Sequence, residues 1–519
     1  MNTRRKRVER EGTFAGSNAE RAIIDIGSNT VRLVVYGGSM RAPVVLLNEK
    51  VTARLGREIA SSGMLAEDAI NLAMRGLSRF ALLLDDLEIE DVETVATAAV
   101  REASNGAQFI DRITELGLTP RVLSGEEEAC IGANGIAGAF PAAQGCVADL
   151  GGGSLELVAI DRGVTGKPVS LALGALRLPE YRSAAAGASF GVTAMRSALE
   201  QVIADSGWSL ASQPKHQAHP LYLVGGTWRA MAVFAMQSRA HPLSDPHGFE
   251  LGADEAADLA RQIRQESAQS LQSRPRISSM RAQMLPDAAV LLEALLARLA
   301  PEKIVFSSWG LREGLLYNRL ERHEKTQDPL LAGVSAFAKS RGASATLATQ
   351  IAGWTVDAAP SNSQGNERLR LTATMLSLAS MQIEPNIRLP QAINWALHKR
   401  WIAIDGEERG QLAAAISANG NALDLPDKVK ALTSEEALEE AVCWGLAVRL
   451  ARRLGARSRR SLEVSRLHLG DGELVLRLAD SHAALFGQGN EKDIASLARR
   501  MGCNWRVEIV AEDLLHTQN

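Results

Sequence analysis

One strand-turn-strand pattern occurs twice in this chain, in register. The first copy reads Ala22-Ile-Ile-Asp25-Ile-Gly27-Ser28-Asn29-Thr30-Val31-Arg32, and the second reads Val147-Ala-Asp149-Leu-Gly151-Gly152-Gly153-Ser154-Leu155-Glu156. Asp25 matches Asp149, Gly27 matches Gly151, Thr30 matches Ser154 and Arg32 matches Glu156. A buried strand ending in Asp-x-Gly places a carboxylate at the edge of a sheet. Glycine lets backbone N–H groups approach an anion, and the hydroxyl residue adds a donor. Two such turns facing each other make a clamp for a phosphate chain and its metal.

The elements around each copy extend the duplication. The first continues with strands near Val44–Leu47, Thr94–Thr97 and Arg121–Leu123 and helices over about 66–86 and 105–116. The second has strands at 145–149, 154–160, near Pro168–Leu173, at Leu221–Val224 and at Lys303–Ser307. Its helices fall near 191–205, 227–237, 253–270 and 284–299. Two mixed α/β halves follow, residues 20–137 and 138–324, with a cleft between them. Residues 1–19 read as a disordered polar tail.

Beyond about residue 325 the strand signal gives way to helical periodicity near 328–356, 367–382, 390–400 and 406–417, broken by the polar run Ser361–Gly365. The domains expected there are a helical one over 325–432 and a small α+β one over 433–519. The latter begins with an amphipathic helix at 433–455 and continues with a hairpin, 462–468 and 473–478, around Gly470-Asp471-Gly472.

Five further motifs occur in order: Ala96–Asn105, Val122–Ala129 with its Ser124-Gly125-Glu126-Glu127-Glu128, Ser170–Arg177, Val224-Gly225-Gly226-Thr227-Trp228-Arg229, and Gly310-Leu-Arg312-Glu313-Gly314. Together with the two turns, they resemble the exopolyphosphatase / guanosine pentaphosphatase (Ppx/GppA) family of the actin, sugar-kinase and hsp70 superfamily. The resemblance is specific over roughly 20–320. It implies two actin-like halves, then a helical domain like the HD phosphohydrolases and a small C-terminal domain. It also implies hydrolysis of terminal phosphoanhydrides. The HD-like stretch has no His-Asp pair, and His398 stands alone, so no second metal site is expected there.

The residues make chemical sense for that reaction. Hydrolysing a phosphoanhydride needs charge neutralisation, positioning and an oriented water. Asp25 and Asp149 are the expected ligands of a divalent cation, Mg²⁺ or another, with a monovalent ion such as K⁺ as a further cofactor. Gly27, Ser28, Asn29, Thr30 and Arg32, then Gly151, Gly152, Gly153 and Ser154, and finally Gly225, Gly226 and Thr227, are expected to grip phosphate oxygens. Arg101, read as ending a strand, is the expected bidentate phosphate contact. The family position that matches Glu127 is the proposed catalytic base, and the resemblance carries that role to Glu127. Glu156 is expected on the cleft face two residues after Ser154.

The formal net charge is −3, so any polyanion surface must be local. Arg449, Arg452, Arg453, Arg457, Arg459 and Arg460 supply one: a charge run is ordinarily a solvated face, but a long polyphosphate would follow such a surface. The expected substrate is inorganic polyphosphate. Guanosine pentaphosphate (pppGpp) or ppGpp is the alternative, followed by a non-catalytic sensor of either, and a kinase is disfavoured by a water-activating glutamate beside the phosphate. No nucleic-acid partner and no membrane span are expected. The family likeness implies a homodimer. Four cysteines without a CxxC pair, and a basic N-terminus not followed by an apolar run, point to the cytoplasm.

Overall fold

The computed structural model describes residues 21–185, 191–208, 219–356, 366–456 and 458–515. The N-terminal tail, the break at 361–365 and Arg457 lie outside the described residues. The chain divides into two compact units, Met1–Pro329 and Leu330–Asn519.

The first unit contains both copies of the turn, each built into its own sheet. Strands β1 (Arg21–Ile26), β2 (Val31–Ser39), β3 (Ala42–Val51), β4 (Val92–Ala96) and β5 (Pro120–Val122) lie in the order β3-β2-β1-β4-β5. β1–β2 and β2–β3 are antiparallel, while β1–β4 and β4–β5 are parallel. The second sheet repeats this plan with β6 (Gln144–Leu150), β7 (Leu155–Asp161), β8 (Val164–Thr165), β9 (Val169–Leu171), β10 (Leu221–Val224), β11 (Glu250–Gly252) and β12 (Lys303–Ser307). β6 runs antiparallel to β7 and parallel to β10, which is parallel to β12, and β9 pairs with β7. The central strands are nearly continuous apolar runs because helices cover both of their faces.

Two helices are exchanged between the halves. Helix Gly125–Ala139 follows β5, yet Ala129, Ala133, Ile136 and Ala137 pack against Val147, Val158, Val224 and Val305 of the second sheet. Helix Leu311–Asn318 follows β12, yet Leu315 and Leu316 pack against Ile23, Val34 and Val95 of the first. The helices cross where side chains are absent. A Cβ on Gly314 would lie 1.8 Å from the Ile131 carbonyl oxygen, and one on Gly135 would lie 2.3 Å from that of Gly310.

In the second unit the expected helices appear with sharper ends. The segment read as 328–356 is two helices, Pro329–Lys339 and Ala345–Trp354, separated near Gly342. Helices Asn366–Ala379, Pro385–His398, Gly406–Asn419 and Glu435–Gly455 follow. The hairpin is present as β13 (Ser465–Gly470) and β14 (Glu473–Ala479). It is joined by a third strand, β15 (Asn504–Val510), parallel to β14 and reached through helix Gln488–Met501. Among the described residues, no helix is long and apolar enough to cross a membrane.

Candidate active site

The two turns have the same backbone bond. Gly27 N–H donates to the Thr30 carbonyl at 3.0 Å, and Gly151 N–H donates to the Ser154 carbonyl at 3.0 Å. Each aspartate sits one residue before its strand ends, with its partner directly across the ladder: Asp25 opposite Arg32, Asp149 opposite Glu156. The turns meet face to face. A Cβ on Gly153 would come within 2.8 Å of Ser28 Oγ, so this approach requires glycine. Gly225, with φ +123°, opens helix Gly226–Ser238, and a Cβ there would lie 2.4 Å from the Leu150 carbonyl oxygen, so only glycine fits.

Between the halves is a cavity of about 550 Å³. All twelve residues expected to grip phosphate line it: Gly27, Ser28, Asn29, Thr30, Arg32, Gly151, Gly152, Gly153, Ser154, Gly225, Gly226 and Thr227. Asp25 and Asp149 line it as well. Burial raises both carboxyls, and burial together with the charge of Asp25 pushes Asp149 up to about 6.

These two side chains fit a divalent cation. Among the described residues no three His, Cys, Asp or Glu side chains form a ready-made cage. A pair of half-buried carboxylates facing a phosphate cavity is nevertheless the donor set that Mg²⁺ completes with water and phosphate oxygens.

The glutamate run is resolved one residue away from the expectation. Ser124 caps helix Gly125–Ala139, and Glu127 closes the capping box: its carboxylate accepts from Ser124 N–H at 2.8 Å, while Ser124 Oγ accepts from Glu127 N–H at 3.1 Å. Glu127 also receives Arg121 at 3.2 Å on an exposed face, and the Ser124 N–H bond holds its carboxyl below the usual range. It does not line the cavity. Glu128, about 100° further round the helix, does. Burial pushes Glu128 up to about 7, opposed by Arg101 and reinforced by Asp149 and Asp25. Position 127 therefore caps the helix, and the carboxylate on the cavity wall is Glu128.

Arg101 does not end a strand. It lies in the short helix Ala98–Glu102, and its guanidinium donates to the Leu123 carbonyl at 2.8 Å and to Glu128 at 3.1 Å. It holds Glu128 and is not among the cavity-lining residues. Glu156, expected on the cleft face, does not line the cavity: it is buried and accepts the Ser170 hydroxyl at 2.8 Å. Burial, then Glu128 and Asp149, raise its carboxyl well above the usual carboxylate range.

Four cavity residues carried no assigned role in the sequence. Arg229, Arg281 and Arg312 add guanidiniums to that of Arg32, and Glu313 accepts the Tyr36 hydroxyl at 2.8 Å and Gly310 N–H at 3.1 Å. Burial, then Arg312 and Arg281, push Arg229 down to about 9. Arg229, Arg312 and Glu313 stand inside quoted motifs, which was the available signal. Arg281, at the start of helix Ser279–Leu299, had none.

The arginine run in the second unit is not one free surface. Arg449 and Arg453 both bond Asp493, each at 2.9 Å. Arg459 donates to Gln350 at 3.1 Å, and Arg460 to Glu512 at 2.6 Å. Arg452 is largely buried, and Arg457 lies outside the described residues. Of the six arginines expected to follow a polyphosphate, Arg449, Arg453, Arg459 and Arg460 thus have local partners.

The sequence profile described as the Ppx/GppA phosphatase family matches residues 34–323. Exopolyphosphatase 1 of Mycobacterium leprae is 28% identical over 311 residues, covering 58% of this chain and 89% of that protein. Retrograde regulation protein 2 of Saccharomyces cerevisiae is 26% identical over 342 residues, covering 61% of this chain and 58% of the yeast protein's length. The crystal structure of an exopolyphosphatase from Cytophaga hutchinsonii superposes with a TM-score of 0.51 at 24% identity, over 57% of this chain and 96% of that one, a likeness of fold.

Proposed function

This chain belongs to the Ppx/GppA phosphatase family, and from that premise we propose that it is an exopolyphosphatase, releasing orthophosphate from the ends of inorganic polyphosphate. The terminal phosphate lies between the two turns, held by their N–H and hydroxyl groups. Arg32, Arg229, Arg281 and Arg312 balance its charge. Glu128 takes a proton from a water molecule as that water's oxygen bonds the terminal phosphorus. The bond to the bridging oxygen breaks, and the shortened chain leaves with that oxygen. Arg101 positions Glu128 and lowers its proton affinity. A divalent cation on Asp25 and Asp149 would supply charge neutralisation at the phosphate oxygens.

The observation that carries this reading is Glu128: a buried carboxyl raised to about 7, on the wall of a cavity framed by duplicated phosphate turns. A proton affinity near neutral suits a general base. The test is phosphate release by the full chain with Mg²⁺, using long-chain polyphosphate and pppGpp in parallel. Polyphosphate turnover that disappears in Glu128→Gln supports the proposal. Turnover of pppGpp alone would make the chain a nucleotide 5′-phosphohydrolase using the same groups.

A second reading is a regulator that binds these ligands without turnover. It is favoured by the yeast relative, whose name is that of a regulation protein. Binding of polyphosphate with no release under any divalent ion would select it.

A further inference from the structure

Arg229 reaches the phosphate cavity from helix Gly226–Ser238. Among the described residues its guanidinium makes a single hydrogen bond, from Nη1 to the Ser308 carbonyl at 3.3 Å. The remaining N–H groups are left for a ligand. Where Arg229 meets a phosphate therefore depends on how Ser308 is held.

Ser308 is the first residue of the turn that leaves β12, on the cavity wall and 6% exposed. The turn is held from inside and from outside. Inside, Ser307 Oγ accepts Trp309 N–H at 3.0 Å and donates to the Trp309 carbonyl at 2.8 Å, and these contacts move with the turn. Outside, Ser308 N–H donates to His247 Nδ1 at 3.2 Å. His247 belongs to the loop 243–249, which is tied to β12. Gly248 N–H donates to the Phe306 carbonyl at 2.8 Å, and Phe306 N–H donates to the Phe249 carbonyl at 2.9 Å. The imidazole thus links the turn to a fixed loop.

Nδ1 accepts only through its lone pair, so the ring is neutral with its proton on Nε2. His247 is itself buried. Without that lone pair the buried Ser308 N–H would lose its partner, a cost that a small rotation of the turn would relieve. Such a rotation carries the Ser308 carbonyl away from Arg229. The same ring also packs on Phe140, with centroids 5.0 Å apart. Accepting a hydrogen bond and filling space are therefore two separable properties of this side chain.

We propose that His247 is a positioning residue for the phosphate site: its Nδ1 anchors the turn at Ser308 and so sets where Arg229 meets the terminal phosphate. This role rests on the reading of the first unit as a phosphoanhydride hydrolase.

The test compares two variants of the full chain, each keeping one property of the ring. His247→Asn keeps an acceptor, its Oδ1 standing the same number of bonds from Cβ as Nδ1, and loses the ring on Phe140. His247→Phe keeps the ring and has no acceptor. Release of phosphate from polyphosphate with Mg²⁺ should fall about tenfold in kcat/KM for His247→Phe, the scale of one lost hydrogen bond, and stay within about threefold of wild type for His247→Asn. A packing role predicts the reverse order. The reverse order, or equal values, would overturn the proposal. His247→Leu also lacks an acceptor and takes the place of His247→Phe should that variant not fold.

The route through Arg229 is tested by a double-mutant cycle. In an Arg229→Gln background, His247→Phe should cost less than about twofold more, because the group it positions is gone. The full loss in that background would show that His247 does not act through Arg229. Absence of turnover in the wild-type chain would remove the hydrolase reading by itself. The same variants are then compared by calorimetric Kd for inorganic tripolyphosphate, where His247→Asn must still bind more tightly than His247→Phe for the positioning role to stand.

Discussion

The two phosphate turns share a backbone and differ in charge. Both close with an N–H to carbonyl bond of 3.0 Å, and both place an aspartate opposite a charged residue on the neighbouring strand. In the first turn that residue is Arg32, which reaches the cavity. In the second it is Glu156, which accepts the Ser170 hydroxyl and whose carboxyl burial raises. The helix carrying Glu128 also lies against the second turn, since a Cβ on Gly132 would sit 3.3 Å from Asp149 Oδ2. Anion gripping is therefore duplicated, while the acidic groups gather at one turn. On the proposed hydrolase reading, the backbone repeat grips the phosphate and the break in charge symmetry marks the side from which water would attack.

The sharpest way to break this comparison is at Glu128. Glu128→Gln should lower kcat by about 10²–10⁴-fold with KM little changed, as expected for a lost general base. A variant with more than half the wild-type kcat would move the chemistry away from the second turn. The next effect belongs to the first turn. Arg32→Gln removes a charged contact to the ligand and should raise KM roughly 10- to 100-fold while largely sparing kcat, on the scale of a charged hydrogen bond. A loss confined to kcat would mean that the first turn takes part in the chemistry.

The pH profile refines the picture further. With Glu128 required as a carboxylate, the rate should fall as pH drops through about 7. Arg101 lowers the Glu128 proton affinity from 3.1 Å, so Arg101→Gln should move this acid limb up by about one pH unit. A limb that stays in place or moves down would separate Arg101 from the base. Glu156→Gln should matter less, within about threefold in kcat/KM, because the side chain does not line the cavity and burial already disfavours its charge. A larger loss would assign Glu156 a charged role. Smallest is Glu127→Gln, which weakens a capping box and should cost about 1 kcal/mol in chemical denaturation with activity near wild type.

Much of this site was legible before any coordinates. Alternating apolar strands ending in Asp-x-Gly placed both turns, and the strands Leu221–Val224 and Lys303–Ser307 match the sequence reading to the residue. Glu127 and Glu128 were not separable by residue type, because three consecutive glutamates have no internal phase. The small residues following, at Gly132 and Gly135, mark the face of close approach, and Glu128 is the glutamate that shares it. The arginine run misled because charge spacing along a helix does not show which carboxylates arrive from elsewhere; Asp493 is 40 residues away from Arg453 and Glu512 is 52 away from Arg460. Strand β15 was missed although Trp505, Val507 and Ile509 alternate. It is reached by a helical crossover, and the hairpin pattern stops at β14.

The glycine crossing of the two exchanged helices has a mechanical consequence. Rods in contact backbone to backbone, as at Gly135 with Gly310 and Gly314 with Ile131, can roll over one another but have no slack in which to slide. The crossing therefore acts as an axle and not as a cushion. Glu128 lies seven residues from Gly135, roughly 10 Å along the helix, and Arg312 lies two residues before Gly314 on the other rod. Any turning about the axle swings the acid and the cation on opposite arms of one lever, so the gap between them is geared to the angle between the two sheets.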